Sequence, residues 1–555
     1  MDFAPETELC PSCRADLQVQ NTRTRTVVTL AHGAFQAREI VKECAASPAS
    51  HPTMRSAALP RLVKPRHRYG YDLVVHAGLA RYLRAQQREE IRTELREEHD
   101  IDLASGTVSA LCDRFLLGLE ALHVHRAPAL RAAMTHGYPL HLDATCDRGK
   151  GGLFVTIDGF RGWVLAASRV STERHDYLTP VIEKTLALFG EPLATMRDLG
   201  DAVAAAVAPL RQRAILDLVC HFHFLRAVGK KLFDQPYAEL RTQLRQLQIA
   251  RDLKRLLREL HRYQETQPGA YDGSFGSGPV RDDLLALVLW LLEGTGCKDP
   301  DYPFSLPHLN LVTRARQLPA VAERFLPCPR TQPEWAALGH LQFLARKLDD
   351  PHFLRLAQPL QDHWQAFSEL RDVLRLSNAE LPSGSRAPRQ LELPALELAR
   401  LEEIENAFLA YEKRLQRSRS PAAATIRTYI ERYRPHLFGH PAVHAPNGGI
   451  LAVVSRVNNA SEHFFGQGKQ LLRRRVGRAH LGLDMEQQPA QAAFARNLRD
   501  PAYVEILCGS LDRLPEAFAE VHALHLVPSH PVLRDQRRAN LRRLVRSNLE
   551  PIAQR

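Results

Sequence analysis

The clearest hydrophobic patterning lies between residues 138 and 232, where short apolar runs alternate with longer amphipathic ones. Leu140, His141, Leu142 and Asp143 read as a short strand that closes on a carboxylate. Residues 153–157 and 163–170 read as two more strands, joined by a turn from Asp158 to Gly162. Helical spacing follows across 177–189, then a strand at 193–196 that again closes on an aspartate, Asp198. A helix at 202–210 and a strand at 215–219 complete the series. The order is three strands, helix, strand, helix, strand, so a mixed α/β sheet is expected here.

The flanks differ in period. Residues 71–134 are helical in pattern, with a break at 100–104 and Ser105 placed as the cap of the second helix. Two such helices fit either a DNA-binding helix-turn-helix or a helical hairpin packed on the core. After residue 232 the pattern is helical for some two hundred residues. Leu253, Leu256, Leu257 and Leu260 form one stripe and similar stripes recur at 335–348 and 395–416, all expected to be packing surface. Pro268 to Pro279 and Ser383 to Arg389 read as loops, and a basic helix is expected at the C-terminus. The resulting divisions are 1–60, 61–135, 136–232, an all-α segment at 233–450, 451–500 and 501–555.

Composition narrows the class. At 555 residues the chain holds several packed units. The apolar run from Leu284 to Leu292 is too short to cross a bilayer, and no secretory signal opens the chain. Lysine and arginine outnumber aspartate and glutamate by 74 to 62, a net charge of +12 that favours a polyanionic partner. Basic clusters occur near Arg23 and Arg25, from Lys64 to Arg68, at Arg473, Arg474, Arg475 and Arg478, and from Arg534 to Arg546.

Nine scattered cysteines argue against a disulfide framework and for a reducing, cytoplasmic setting. Cys112, Cys146, Cys297, Cys328 and Cys508 read as small apolar residues. Cys10 and Cys13 ahead of a short hairpin, with Cys44 after it, look like the start of a zinc ribbon. Ser47 stands where a second cysteine pair would place its last ligand, so the fourth ligand has to be His51 or another group. A ribbon that folds without metal is the alternative.

The strand order between 138 and 232 is that of a ribonuclease-H-like sheet. There the ends of the first and fourth strands are adjacent, so Asp143 and Asp198 would converge, and a helix across the sheet can deliver Glu462. Phosphodiester cleavage needs an activated hydroxyl, a stabilised leaving oxygen and relief of phosphate charge. Two magnesium or manganese ions on such carboxylates supply all three. Asp147, Asp158, Asp201 and Asp217 compete as bland strand-end or cap residues, and Asp201 is the strongest rival of Asp198.

Four motifs occur in order. Leu140, His141, Leu142 and Asp143 are followed by Ala144 and Thr145; Met196, Arg197 and Asp198 by Leu199 and Gly200; Cys220 by His223 three positions on; and Asn458, Asn459 and Glu462 by Lys469 and Arg473 to Arg475. With these motifs the chain resembles the DDE transposases of bacterial insertion sequences, near the mutator-like and related groups. The resemblance implies that Asp143, Asp198 and Glu462 bind catalytic metals. It also implies a helical domain inserted before the glutamate, matching the stretch from Val228 to Asn458. The Cys220 and His223 pair takes a structural or DNA-positioning role, and Asn458 and Asn459 orient the glutamate helix and touch DNA or act as its cap. Lys469, Arg473, Arg474, Arg475 and Arg478 are candidates for gripping phosphates beside the site.

The implied fold is a ribonuclease-H-like α/β core with a large all-α insertion, preceded by a zinc-ribbon-like module and a helix-turn-helix region. The implied partners are double-stranded DNA, as element ends and target, and further copies of the chain in a dimer or larger assembly. A bacterial, nucleoid-associated location follows from the same resemblance. The alternatives are a domesticated transposase acting as a DNA-binding regulator and a nuclease of the same fold without strand transfer.

Overall fold

A computed structural model describes residues 1–145, 152–266, 280–295, 301–325, 331–376, 394–478 and 480–527. Several expectations fall outside these residues: Cys146, Asp147, Cys297, Cys328, the loops at 268–279 and 383–389, and the basic C-terminal segment. The chain forms two compact units, one from Met1–Leu218 and His440–Arg555 and the other from Val219–Gly439.

In the first unit, β1 (Asp2–Phe3), β2 (Leu17–Thr29) and β3 (Gly33–Cys44) form a three-stranded sheet in the order β1-β3-β2. The β2–β3 hairpin is longer than its apolar positions suggest, because much of β2 stays in solvent and burial is confined to its ends and to Ala37, Val41 and Cys44 of β3. Gly33 turns the hairpin at a φ of 64°.

The helices α1 (Ala58–Leu62), α2 (Tyr71–Tyr82), α3 (Arg88–His99), α4 (Ser105–His125) and α5 (Ala127–Ala133) follow. Ser105 is the first residue of α4 and not its cap; Ala104 takes the cap position, and the Ser105 carbonyl accepts the Ser109 hydroxyl. α4 is long and buried on most sides, with Leu111, Phe115, Leu119 and Leu122 inside the core. Gly78 of α2 sits against the Phe115 ring, where a side chain would overlap it.

The central sheet has five strands: β4 (Pro139–Thr145), β5 (Gly152–Asp158), β6 (Val164–Val170), β7 (Ala194–Arg197) and β8 (Leu216–Val219). Their spatial order is β6-β5-β4-β7-β8. β4 to β6 form an antiparallel meander, and β7 joins β4 in parallel after the crossover helix α6 (His175–Phe189). The stripe Leu178, Val181, Ile182, Leu186 and Phe189 buries one face of α6 in the core. A short helix, α7 (Asp201–Val207), lies between β7 and β8. β4, in the middle of the sheet, is buried on both faces from Pro139 to Leu142, which explains its continuous apolar run.

The second unit is helical among its described residues. It holds α8 (His221–Gln246), α9 (Ile249–Thr266), α10 (Val280–Leu292), α11 (Pro307–Phe325), α12 (Gln332–Leu348), α13 (Pro351–Val373), α14 (Pro394–Arg417) and α15 (Pro421–Tyr433). The stripe on α9 is buried at Leu253, Leu256 and Leu260, and Phe233 of α8 meets Phe367 of α13 edge to face at 5.3 Å. Among the described residues no helix is long and apolar enough to cross a membrane.

The chain returns to the first unit through β9 (Ala442–His444) and β10 (Ile450–Val453), then α16 (Asn459–Val476), α17 (Gly482–Gln487), α18 (Pro501–Cys508) and α19 (Leu514–Ala523). Buried polar links tie this return to the core. His123 of α4 donates through Nε2 to the Leu165 carbonyl at 3.0 Å and accepts the Tyr503 hydroxyl at Nδ1 at 2.7 Å. Asn497 brackets β6, accepting from Val164 N–H and donating to the Val164 carbonyl.

Candidate functional site

β4 and β7 pair in parallel with Pro139 opposite Ala194, Leu140 opposite Thr195 and His141 opposite Met196. Asp143 follows within β4, and Asp198 comes directly after Arg197, the last residue of β7, so the two aspartates belong to the ends of neighbouring strands. α16 packs against β4 and β5 and carries Glu462 in its first turn. Asp143 senses these acids electrostatically, although the three carboxylates are not drawn together as closely as a set of metal ligands. Burial pushes its carboxyl up to about 7, and the negative charges of Asp198, Glu462 and Glu173 add to the rise, while the Ala144 N–H opposes it. The donors facing Asp143 are thus oxygen-bearing acids, the ligand type preferred by hard divalent cations.

Each acid is positioned by groups that carry no catalytic chemistry. Asn458 is almost fully buried at the cap position of α16, where its carbonyl accepts the Glu462 N–H and its side chain, in place of a cap bond, reaches β4. Its Oδ1 accepts from His141 Nδ1 at 2.8 Å and its Nδ2 donates to the Leu142 carbonyl at 3.3 Å, so it pins the start of α16 to β4. His141 is enclosed, its charging opposed by burial so that its pKa falls to about 4, and it remains neutral. Gly159 lies against the opposite edge of the same ring, and a methyl group there would overlap it. Asn459 is the first residue of α16.

On the other side, Arg197 is 2% exposed and grips Asp217 with two bonds of 2.8 and 3.0 Å. Its remaining Nη1 donates to the Asp198 carbonyl at 2.9 Å, fixing the backbone of that aspartate. Arg211 completes the buried pair at 2.7 Å from Asp217. The Asp198 side chain accepts the Gly200 N–H at 2.9 Å, and Asp201 opens α7. Asp158 holds its turn through Phe160 N–H and Arg161. Asp158 and Asp217 are therefore engaged structurally. His141, Gly159, Arg197 and Glu173 were not singled out by the sequence pattern, because their partners are distant along the chain.

The cationic stretch after Glu462 divides. Arg473 and Arg474 are exposed, Arg478 pairs with Asp484 at 3.4 Å, and Arg475 is turned inward. Burial lowers the pKa of Arg475, with Tyr82, Cys112 and Asp484 opposing, and it lines a cavity with Arg81, Arg88 and Asp113. Lys469 lines an adjoining hollow with Phe464, Phe465 and Arg496.

A second ligand set stands at the N-terminus. A tight turn, with Arg14 N–H on the Cys10 carbonyl, presents Cys10 and Cys13; β3 ends on Cys44; a turn at Ser47 folds His51 back. Cys10 Sγ lies 3.4 Å from His51 Nδ1, Cys13 Sγ lies 3.4 Å from Cys44 Sγ, and all four ligand atoms lie within 4.8 Å of one another. Burial pushes the Cys10 thiol up, but the N–H groups of Ser12 and Cys13 and the neighbouring thiols outweigh it and bring it to about 6, a thiolate at neutral pH. Three thiols and an imidazole at this spacing can hold a tetrahedral zinc ion. Among the described residues this is the group so gathered; Cys220, buried at the cap of α8, and the half-buried His223 are not part of such a group.

No protein-family model matches the chain, and no curated protein matches it.

Proposed function

We propose that the protein is a DNA transposase that cuts and joins strands at the ends of its own element. The observation that carries this reading is that Asp143 in β4 feels the charges of Asp198, just past the end of the parallel neighbour β7, and of Glu462 on the helix packed against β4. The strand order β6-β5-β4-β7-β8, an antiparallel meander followed by a parallel strand, supports a ribonuclease-H-like core. The all-helical unit that separates β8 from α16 in sequence supports an insertion before the glutamate.

Asp143, Asp198 and Glu462 would hold a pair of magnesium or manganese ions. The fit is chemical: the acids offer only oxygen, and their mutual repulsion at Asp143 calls for a cation. When bound, such ions activate a water or a 3′ hydroxyl and neutralise the leaving oxygen. Asn458 and His141 tie the start of the Glu462 helix to β4, and Arg197 holds the Asp198 backbone, which supports a fixed framework on which bound cations would draw the acids together. Arg473 and Arg474, which are exposed, would hold DNA phosphates. The zinc-type cluster and the α3–α4 pair would supply recognition of the element ends, and two ends call for two or more copies of the chain.

The test is cleavage of DNA carrying the element ends in magnesium, followed by scoring of joined products. Wild-type protein is expected to nick the ends and produce recombinants, and Asp143→Asn to abolish both. Nicks without joined product identify a nuclease, and intact DNA bound by wild-type protein identifies a regulator.

A further inference from the structure

Away from the acids, the first unit contains a cavity whose charged lining is all of one sign. Lys64 and His67 come from the segment after α1, Arg114 from α4 and His522 from α19, while the remaining wall, with Tyr69, Tyr71, Leu117 and Phe518, is mostly apolar. The cavity is small, about 40 Å³, and partly open to solvent. Arg114 Nη2 donates to His67 Nδ1 at 2.5 Å, which leaves the His67 proton on Nε2. Arg25 reaches the segment from β2, donating to the His67 carbonyl at 2.8 Å. His522 donates through Nδ1 to the Phe518 carbonyl at 2.9 Å, and its ring lies 5.3 Å from that of Tyr71.

Among the described residues no carboxylate faces this group. Asp72, the acid nearest in sequence, uses its oxygens on the N–H groups of Leu30, Ala31 and Leu73. The electrostatic neighbours of His67 are Arg114, Lys64, His522 and Arg25, and those of His522 are Lys64 and Arg114. Burial lowers the proton affinity of Lys64 and Arg114 alike, and only the tyrosines Tyr69 and Tyr71 favour the charge on Arg114. Clustered, partly desolvated cations without a counter-charge are costly unless an anion completes them.

We propose that this cavity is a phosphate-binding site, with Lys64 and Arg114 as its charged donors and His67 Nε2–H as a third. The guanidinium and the ammonium match a tetrahedral oxyanion, and His522 can add a donor by taking up a proton. The phosphate group comes either free from solution or from the backbone of a nucleic acid. The site is independent of the carboxylates, and neither arm of the following test involves strand cleavage, so its failure leaves the transposase reading standing.

The full chain is titrated with inorganic phosphate by calorimetry and, separately, with a short DNA duplex by fluorescence anisotropy over a range of salt. If the phosphate is taken from solution, inorganic phosphate binds and Lys64→Gln weakens it about tenfold, the effect of removing one charge-assisted contact. If it is taken from DNA, Lys64→Gln weakens specific and unrelated duplexes alike by about tenfold and lowers the salt slope by about one, while inorganic phosphate does not bind. Arg114→Gln, used once circular dichroism shows it folded, is expected to act in the same direction. Unchanged binding of both ligands in Lys64→Gln overturns the proposal. That residue makes no hydrogen bond through its side chain among the described residues, so its replacement leaves the fold intact to decide the matter.

Discussion

At the N-terminal hairpin four ligand atoms lie within 4.8 Å of one another, whereas the acids around Asp143 stand at the ends of separate elements and raise that residue's proton affinity. The first set comes from about forty residues of chain, through two turns and a strand end, and its soft donors tolerate close approach because a thiol can be neutral or share a proton. The second set comes from positions more than three hundred residues apart in sequence and repels itself. It is held by a scaffold of buried hydrogen bonds: Asn458 on His141 and Leu142, and Arg197 on Asp217 and the Asp198 carbonyl. A ligand set that cannot attract itself needs its geometry supplied by the groups behind it.

The largest effect distinguishing the two should come from metal removal. If the cluster holds zinc, a strong chelator or Cys44→Ser is expected to forfeit metal-linked folding energy on the order of 10 kcal/mol at the hairpin. Limited proteolysis would then cut within 1–60 while the core from β4 to β8 persists. Loss of the core together with the hairpin would mean that the two regions are not separable.

Next, Arg197→Met takes from buried Asp217 the guanidinium that holds both its oxygens, and releases the Asp198 backbone. A loss of roughly 3 to 5 kcal/mol in denaturant unfolding is expected. A variant of unchanged stability would show that Asp217 is served by Arg211 alone.

Acid should act on the scaffold through His123. Burial lowers its pKa from the ordinary 6.5 to about 4, with the Leu165 carbonyl opposing. The folded protein therefore keeps His123 neutral where the unfolded chain binds a proton. Its contribution is complete above about 6.5 and is lost as the pH falls toward 4, by roughly 3 kcal/mol across the window. Thermal unfolding of His123→Gln should show a shallower decline over that range than wild type; an identical slope removes His123 from the account.

The smallest effect on stability, about 1 to 2 kcal/mol, is expected from Asn458→Ala. Because that residue aims the Glu462 helix, cutting should fall by about 10- to 100-fold while melting changes little. Equal loss of folding and cutting would reduce Asn458 to a core residue.

The strands that lead to Asp143 and Asp198 were readable in the sequence because strands of a central sheet announce themselves. The continuous apolar run into Asp143 and the short strand into Asp198 are consequences of burial on both faces. The thiols were readable by spacing, although His51 was one of several possible fourth ligands until the turn at Ser47 placed it. What stayed hidden depends on contacts across the chain. Nothing near Asn458 announces that its partner is His141, nothing near Asp217 that it belongs to Arg197, and Gly159 looks like an ordinary turn residue until the ring beside it is seen. The run of arginines after Glu462 reads as one basic face, yet the helix divides it, and Arg475 turns away from solvent. Periodicity gives the faces of an element but not the neighbours that choose between them.

The central claim is that Asp143, Asp198 and Glu462 form one divalent-cation site. Manganese titration of the full chain, read by electron paramagnetic resonance, tests it most directly. Wild-type protein is expected to bind two ions, with Asp143→Asn, Asp198→Asn and Glu462→Gln each reducing that number or weakening it strongly, and with the zinc cluster unaffected. Manganese binding that is absent in wild type, or that survives unchanged in all three variants, would contradict it.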